Sequence, residues 1–145
     1  MKKLTALPLA LALTSSLAGA GEILDSDTGT YVLLGRDSAP TEVFYRLSKQ
    51  DGEWVMHGKQ AGSTWTNISC DSGCDYRKTT HDEITAYFPA DWVANTDIAC
   101  IQNIAQAFCR FTAKTDPGKT GHVLIALVTG TPIPMFLQRT SAQGG

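Results

Sequence analysis

Four cysteines limit how this chain can fold more than any other feature: Cys70 and Cys74 are separated by three residues, and Cys100 and Cys109 by eight. Whether they pair depends on the compartment, and the amino terminus bears on that. Lys2 and Lys3 precede an apolar stretch at 4–13, and Ala18-Gly19-Ala20 places small residues where a signal peptidase reads. We therefore expect residues 1–20 to be a cleaved signal peptide, leaving a single periplasmic or secreted domain over 21–145, with flexible ends at 21–29 and 140–145. The apolar stretch is shorter than the ~20 residues of a membrane-spanning helix, and no later segment is longer, so no membrane span is expected.

In an oxidising compartment an even number of cysteines in a small domain reads as two disulfides. Cys-x3-Cys with Cys-x8-Cys lacks the paired short spacings of zinc ribbons, and there is no Cys-x-x-Cys for thiol exchange. Neither a metal nor a cofactor is expected. The formal charge of −2 falls to −4 once Lys2 and Lys3 leave with the signal peptide. That balance argues against nucleic acid, whose binders carry a basic face. It suits a basic protein partner.

Hydrophobic periodicity gives the expected elements. "TYVLLG" at 30–35 has strand composition, and "TEVFYRLS" alternates Val43, Tyr45 and Leu47 against Glu42, Phe44 and Arg46. "KQDG" then closes a hairpin onto "EWVMH", and "STWTNIS" continues the β character to Cys70. In "NTDIACIQNIAQAFCRFT" the period changes. Ile98, Ile101, Ile104, Ala105, Phe108 and Phe111 recur at three- and four-residue steps, with Gln102, Asn103, Gln106 and Arg110 together on the other side. This pattern predicts an amphipathic helix capped at Asn95 or Thr96. "HVLIALVT" and "MFLQR" then read as a C-terminal pair of strands. The expected class is α+β: a small antiparallel sheet of about five to six strands, an N-terminal meander plus a C-terminal hairpin, with one amphipathic helix packed on it and two disulfides.

The helix constrains the disulfides. Nine residues at the helical rise would separate Cys100 from Cys109 by ~13 Å, beyond the ~7 Å Cα limit of a disulfide. The favoured arrangement joins each to Cys70 or Cys74. Local pairing requires the helix to break.

The segment "AKTDPGKT" at 113–120 matches the spelling of a nucleotide-binding loop, but a phosphate loop follows a strand and opens a helix. Here the expected order is inverted, Pro117 removes a backbone donor, and no nucleotide is expected. His57, His81 and His122 are scattered, and Asp71 with Asp75 is too short a ligand series for calcium. No catalytic set is assigned.

What remains is a binding surface. Trp54 and Trp65 are expected in the core. The loop "CDSGCDYRKTTHDE" carries Asp75, Tyr76, Arg77, Lys78, His81, Asp82 and Glu83, mixed charge and one aromatic on a disulfide-fixed backbone, as rigid binders do. The expected function is non-enzymatic binding of another protein in the cell envelope or outside the cell, of inhibitor or immunity type. The alternatives are a small hydrolase using His81, Asp82 and Glu83, and a small-ligand carrier.

Overall fold

The computed structural model describes residues 21–69 and 75–140. A 3-10 turn at Asp25–Asp27 leads into β1 (Gly29–Leu34), β2 (Pro40–Gln50), β3 (Glu53–Gln60) and β4 (Thr66–Asn67). After β5 (Arg77–Lys78) come two short helices, α1 (His81–Tyr87) and α2 (Ala90–Asn95). The chain ends in β6 (Thr96–Gln102), β7 (Gln106–Ala113), β8 (Asp116–Ala126) and β9 (Ile133–Arg139). All nine strands form one curled antiparallel sheet in the order β4-β3-β2-β1-β9-β8-β7-β6-β5.

This overturns the α+β class with a five- to six-stranded sheet. The decisive segment is 96–113, expected as a helix and folded as the β6–β7 hairpin, with Ile98 opposite Phe111 and Ile101 opposite Phe108. The helical stripe was a coincidence of two buried faces. Ala99, Ile101 and Phe108 pack into the cluster inside the curl, whereas Cys100, Ala107 and Cys109 pack into a second cluster with Ile84 and Phe88 on the outer side. A strand covered on both faces loses its two-residue alternation, and its apolar positions can then mimic a helical period. Ile104, which the stripe placed in the core, is 70 % exposed at the hairpin tip. Gln102 and Asn103, expected on the solvent side, are buried. Asn103 forms the turn, its side-chain oxygen accepting the N–H groups of Ala105 at 2.8 Å and Gln106 at 3.0 Å.

The hairpin also corrects the disulfides. Cys100 and Cys109 are register partners and are bonded to each other, Cα atoms 4.1 Å apart. Neither is therefore joined to Cys70 or Cys74, which lie outside the described residues, so the second expected disulfide is not described.

The β2–β3 turn at Asp51-Gly52 has positive φ at both residues, 54° and 83°, the conformation a two-residue hairpin with right-handed strand twist demands. In "AKTDPGKT", residues 113–120 form the end of the β7–β8 hairpin rather than a helix-to-strand connector. Gly121 faces Phe111 across that hairpin, and a Cβ there would lie 2.3 Å from the ring. The ring cannot retreat easily, since Trp92 and Phe136 hold it at centroid distances of 4.9 and 6.2 Å. Gly121→Ala should therefore cost ~1–3 kcal/mol in chemical denaturation, the range for overpacking. A change below ~0.5 kcal/mol, typical of an ordinary surface site, would contradict the packing described.

Two groups of side chains complete the curl. Inside it, Tyr31, Leu47, Met56 and Phe108 are fully or almost fully buried and fill the concave face. Beyond the short end strands, side-chain amides join distant parts of the chain. Asn103 Nδ2 donates to the Ser69 carbonyl at 2.7 Å and Gln106 Nε2 to the Ile68 carbonyl at 3.1 Å, while Ser69 Oγ accepts the Met56 N–H at 3.1 Å. These bonds tie the β3–β4 end of the sheet to the β6–β7 turn.

Candidate functional site

Of the seven residues expected to form a binding surface, Arg77, Lys78, His81, Asp82 and Glu83 gather where β5 passes into α1. Local sequence dictates this geometry. "TTHDE" contains a capping box: Thr80 Oγ1 accepts the Glu83 N–H at 3.2 Å, and Glu83 Oε1 accepts the Thr80 N–H at 2.9 Å. Arg77 grips the same carboxylate in a fork, Nη1 to Oε1 at 2.9 Å and Nη2 to Oε2 at 2.7 Å. The Arg77 hydrogen bonds, followed by that of the Thr80 backbone, hold the Glu83 carboxyl down at about 2. Glu83 is thereby committed to structure. His81 and Asp82 are exposed, and no hydrogen bond joins His81 to either acid among the described interactions.

Tyr76 differs from the expectation of a free aromatic contact. Its ring packs against the inner cluster, and its hydroxyl accepts Gln106 Nε2 at 2.8 Å. Burial pushes its pKa up, and hydrogen bonds from Gln106, Ser69 and Asn103 partly oppose the shift. Asp75 remains exposed beside it. Of the exposed members, Lys78 and His81 border an open hollow of about 420 Å³ that Thr80, Ile84 and Ile98 also line. Thr79, 2 % exposed, also borders it, and its Oγ1 has no hydrogen-bond partner among the described residues. A second hollow of about 180 Å³ shares His81 and Ile84 and adds Asp97 and Lys114.

Sequence reasoning missed a buried charge network. Asp27, 3 % exposed, accepts His122 Nε2 at 3.0 Å on one oxygen. Its other oxygen accepts Arg110 Nη1 and the Leu24 N–H. Burial acts to raise the Asp27 carboxyl, but the hydrogen bonds from His122 and Leu24 and the Arg110 charge outweigh it, leaving the group below its ordinary value. The Tyr31 hydroxyl, pushed up to about 12 by burial, stays protonated and donates to the Asp27 carbonyl at 2.6 Å. His122 packs against the rings of Tyr31 and Phe108, at 4.9 and 5.4 Å, which also touch each other at 5.3 Å. An Asp–His pair can serve catalysis, but this one is largely buried and holds residues 22–28 against the sheet. Arg110 also donates to the Glu22 carbonyl at 2.9 Å and Arg139 to the Ser26 carbonyl at 2.6 Å. These bonds tie residues 22–28 to the sheet, with Ile23 in the inner core. Nothing local announces the network, because its members are 83 and 95 residues apart.

Trp65 also departs from expectation. It is half-buried on the outer face of β2 and β3, with the Arg46 guanidinium 4.1 Å and Lys59 Nζ 5.0 Å from its ring centroid. Trp54 does pack against the inner cluster, with Lys49 over its ring at 4.5 Å.

Among the described residues no group of three or more His, Cys, Asp or Glu is placed to hold a metal ion, and no helix is long and apolar enough to cross a membrane. Comparison of the chain with protein-family models, curated proteins and solved structures finds no significant match.

Proposed function

We propose that this chain is an exported, non-enzymatic binding protein, of inhibitor or immunity type, acting on an enzyme of the cell envelope, and that the β5–α1 rim is its contact surface. The observation that carries this reading is the fixed base beneath the exposed charges. Arg77, Glu83 and Thr80 lock one another, so Lys78 and His81 are presented beside the hollow on backbone that is already ordered. Preordered contact groups lose less entropy on association. The alternatives find less support. The concave face is filled by Tyr31, Leu47, Met56 and Phe108, which leaves little room for a small-ligand carrier to hold cargo there. For a hydrolase using His81 with Asp82 or Glu83, Glu83 is already bonded to Arg77 and Thr80, and no described hydrogen bond joins His81 to Asp82.

The test is photo-crosslinking from position 82, exposed and adjacent in sequence to His81, in cells that make the protein. One discrete crosslinked protein is expected, competed away by excess purified chain. It should be reduced at least tenfold when Lys78→Glu and His81→Asp are combined, because charge reversal at a rim slows encounter and adds repulsion. Equal labelling by the charge-reversed chain would refute the surface, and hydrolytic activity lost with His81→Ala would refute the non-enzymatic reading.

A further inference from the structure

We infer that the outer face of β2 and β3 is a second, separate binding site, and that its ligand is an extended acidic segment of a protein. The site is built from Arg46, Lys59, Trp65 and Phe44. Side chains at alternate positions on a strand point to opposite faces. Tyr45 and Leu47 of β2 and Trp54 and Met56 of β3 belong to the inner cluster, so Phe44, Arg46, His57 and Lys59 lie on the outside. The helices do not cover this part of the sheet: the contacts of α2 are with β6, at the other end of the strand order.

Three observations point to a ligand, and to its charge. The first is that two cations share one aromatic ring. The Arg46 guanidinium carbon and Lys59 Nζ are 4.1 and 5.0 Å from the Trp65 centroid, and Lys59 is also 6.0 Å from that of Phe44. Ring contacts hold a cation in place while leaving its N–H groups free to donate, and a stacked guanidinium keeps the fork that matches a carboxylate. The second is that the ion pairs among the described residues use Lys49, Arg77, Arg110 and His122, and none uses Arg46 or Lys59. Two cations gathered on one ring thus have no described ion-pair partner to neutralise them, in a chain whose formal charge is −2. An arriving anion would meet positive charge that no described acid compensates. The third is His57, the register partner of Arg46, whose Nδ1 is buried without a hydrogen-bond partner among the described residues. A ladder residue with an unmet polar atom lies directly beside the pair.

Register sets the form of the ligand. Arg46 pairs with His57 and Phe44 with Lys59, so Arg46 and Lys59 are diagonal neighbours across the β2–β3 ladder. Such neighbours are ~7–8 Å apart at Cα, and alternate residues of an extended chain are ~6.6 Å apart on one side. Acidic residues at positions i and i+2 of an extended peptide therefore reach both cations at once. A nucleic acid fits less well. Two phosphate contacts supply a salt slope of only about 2, and the negative charge of the rest of the chain opposes a polyanion.

The probe is a labelled octapeptide alternating Glu and Thr, read by fluorescence anisotropy with the full chain. Saturable binding is expected, weakened at least tenfold by Arg46→Gln or by Lys59→Gln, both exterior substitutions, and weakened again by high salt. Lys78→Glu should leave it unchanged, which separates this site from the β5–α1 rim and lets either reading fail alone. Absence of saturable binding, or binding indifferent to both Gln substitutions, would overturn the inference. So would equal affinity for a single-stranded oligonucleotide of the same charge, which would reassign the site to phosphate.

Discussion

Asp27→Ala is expected to destabilise the fold by ~3–5 kcal/mol, the cost of removing one member of a buried ion pair and leaving the others uncompensated. His122 and the Leu24 N–H would lose this acceptor, and Arg110 one of its acceptors, in a space where Asp27 is 3 % exposed. The loss should be local as well as global. Residues 22–28 are held by carbonyl contacts to Arg110 and Arg139 in addition to the carboxylate, so limited proteolysis of the variant should begin within this segment. Asp27→Asn keeps the shape and discards the charge, and should fall between the two. Equal stability of wild type and Asp27→Ala would refute the network as a structural lock.

The same residue sets a pH dependence. Its carboxyl titrates lower in the folded chain than in the unfolded chain, so the unfolded state takes up the proton first as pH falls. The stability Asp27 contributes is complete above the unfolded value of ~3.9 and is lost as pH drops through the lower folded value. Glu83, held at about 2, titrates in the same direction, so wild-type acid unfolding reports both groups. The gap between wild type and Asp27→Ala isolates the first. It should be constant from neutral pH to about 5 and shrink below about 4. A gap that widened on acidification would reverse the assigned sign.

The second large effect is expected at the disulfide. Replacing both Cys100 and Cys109 by Ala reopens a loop spanning nine residues of sequence, worth ~2–3 kcal/mol of unfolded-chain entropy. Loss of two fully buried sulfurs adds a packing cost, so the total should approach ~4 kcal/mol and lower Tm by roughly 15 °C. Peptide mapping gives the complementary check. The fragment containing 100–109 should close on itself, and recovery of Cys100 bonded to Cys70 or Cys74 would contradict the hairpin.

The sequence was most readable where one structural demand acted alone. Asp51-Gly52 between alternating strands could only be a tight turn, and the alternation of Tyr45 and Leu47 against Phe44 and Arg46 reported a strand with unlike faces. At 96–113 two demands overlapped. Burial on both faces erased the alternation, and the resulting spacing passed for helical until the register of Cys100 with Cys109 resolved it. The two helices carry signals in the capping box of Thr80 and Glu83 and in Pro89 before α2. The candidate rim was legible because its residues are adjacent in sequence. The Asp27 network and the cation pair on Trp65 were not, since each depends on partners that only the sheet brings together.

The pairing of β1 with β9 has a consequence for how the molecule comes into being. The first and last strands are neighbours in the middle of the strand order, and Asp27 waits for Arg110 and His122. A chain growing from its amino terminus can form the β1–β2–β3 meander early, yet its concave face stays open until the final strand has emerged. Completion is therefore a single late event governed by the slow closure of distant contacts, and a chain cut short before residue 133 lacks the strand that joins its two halves.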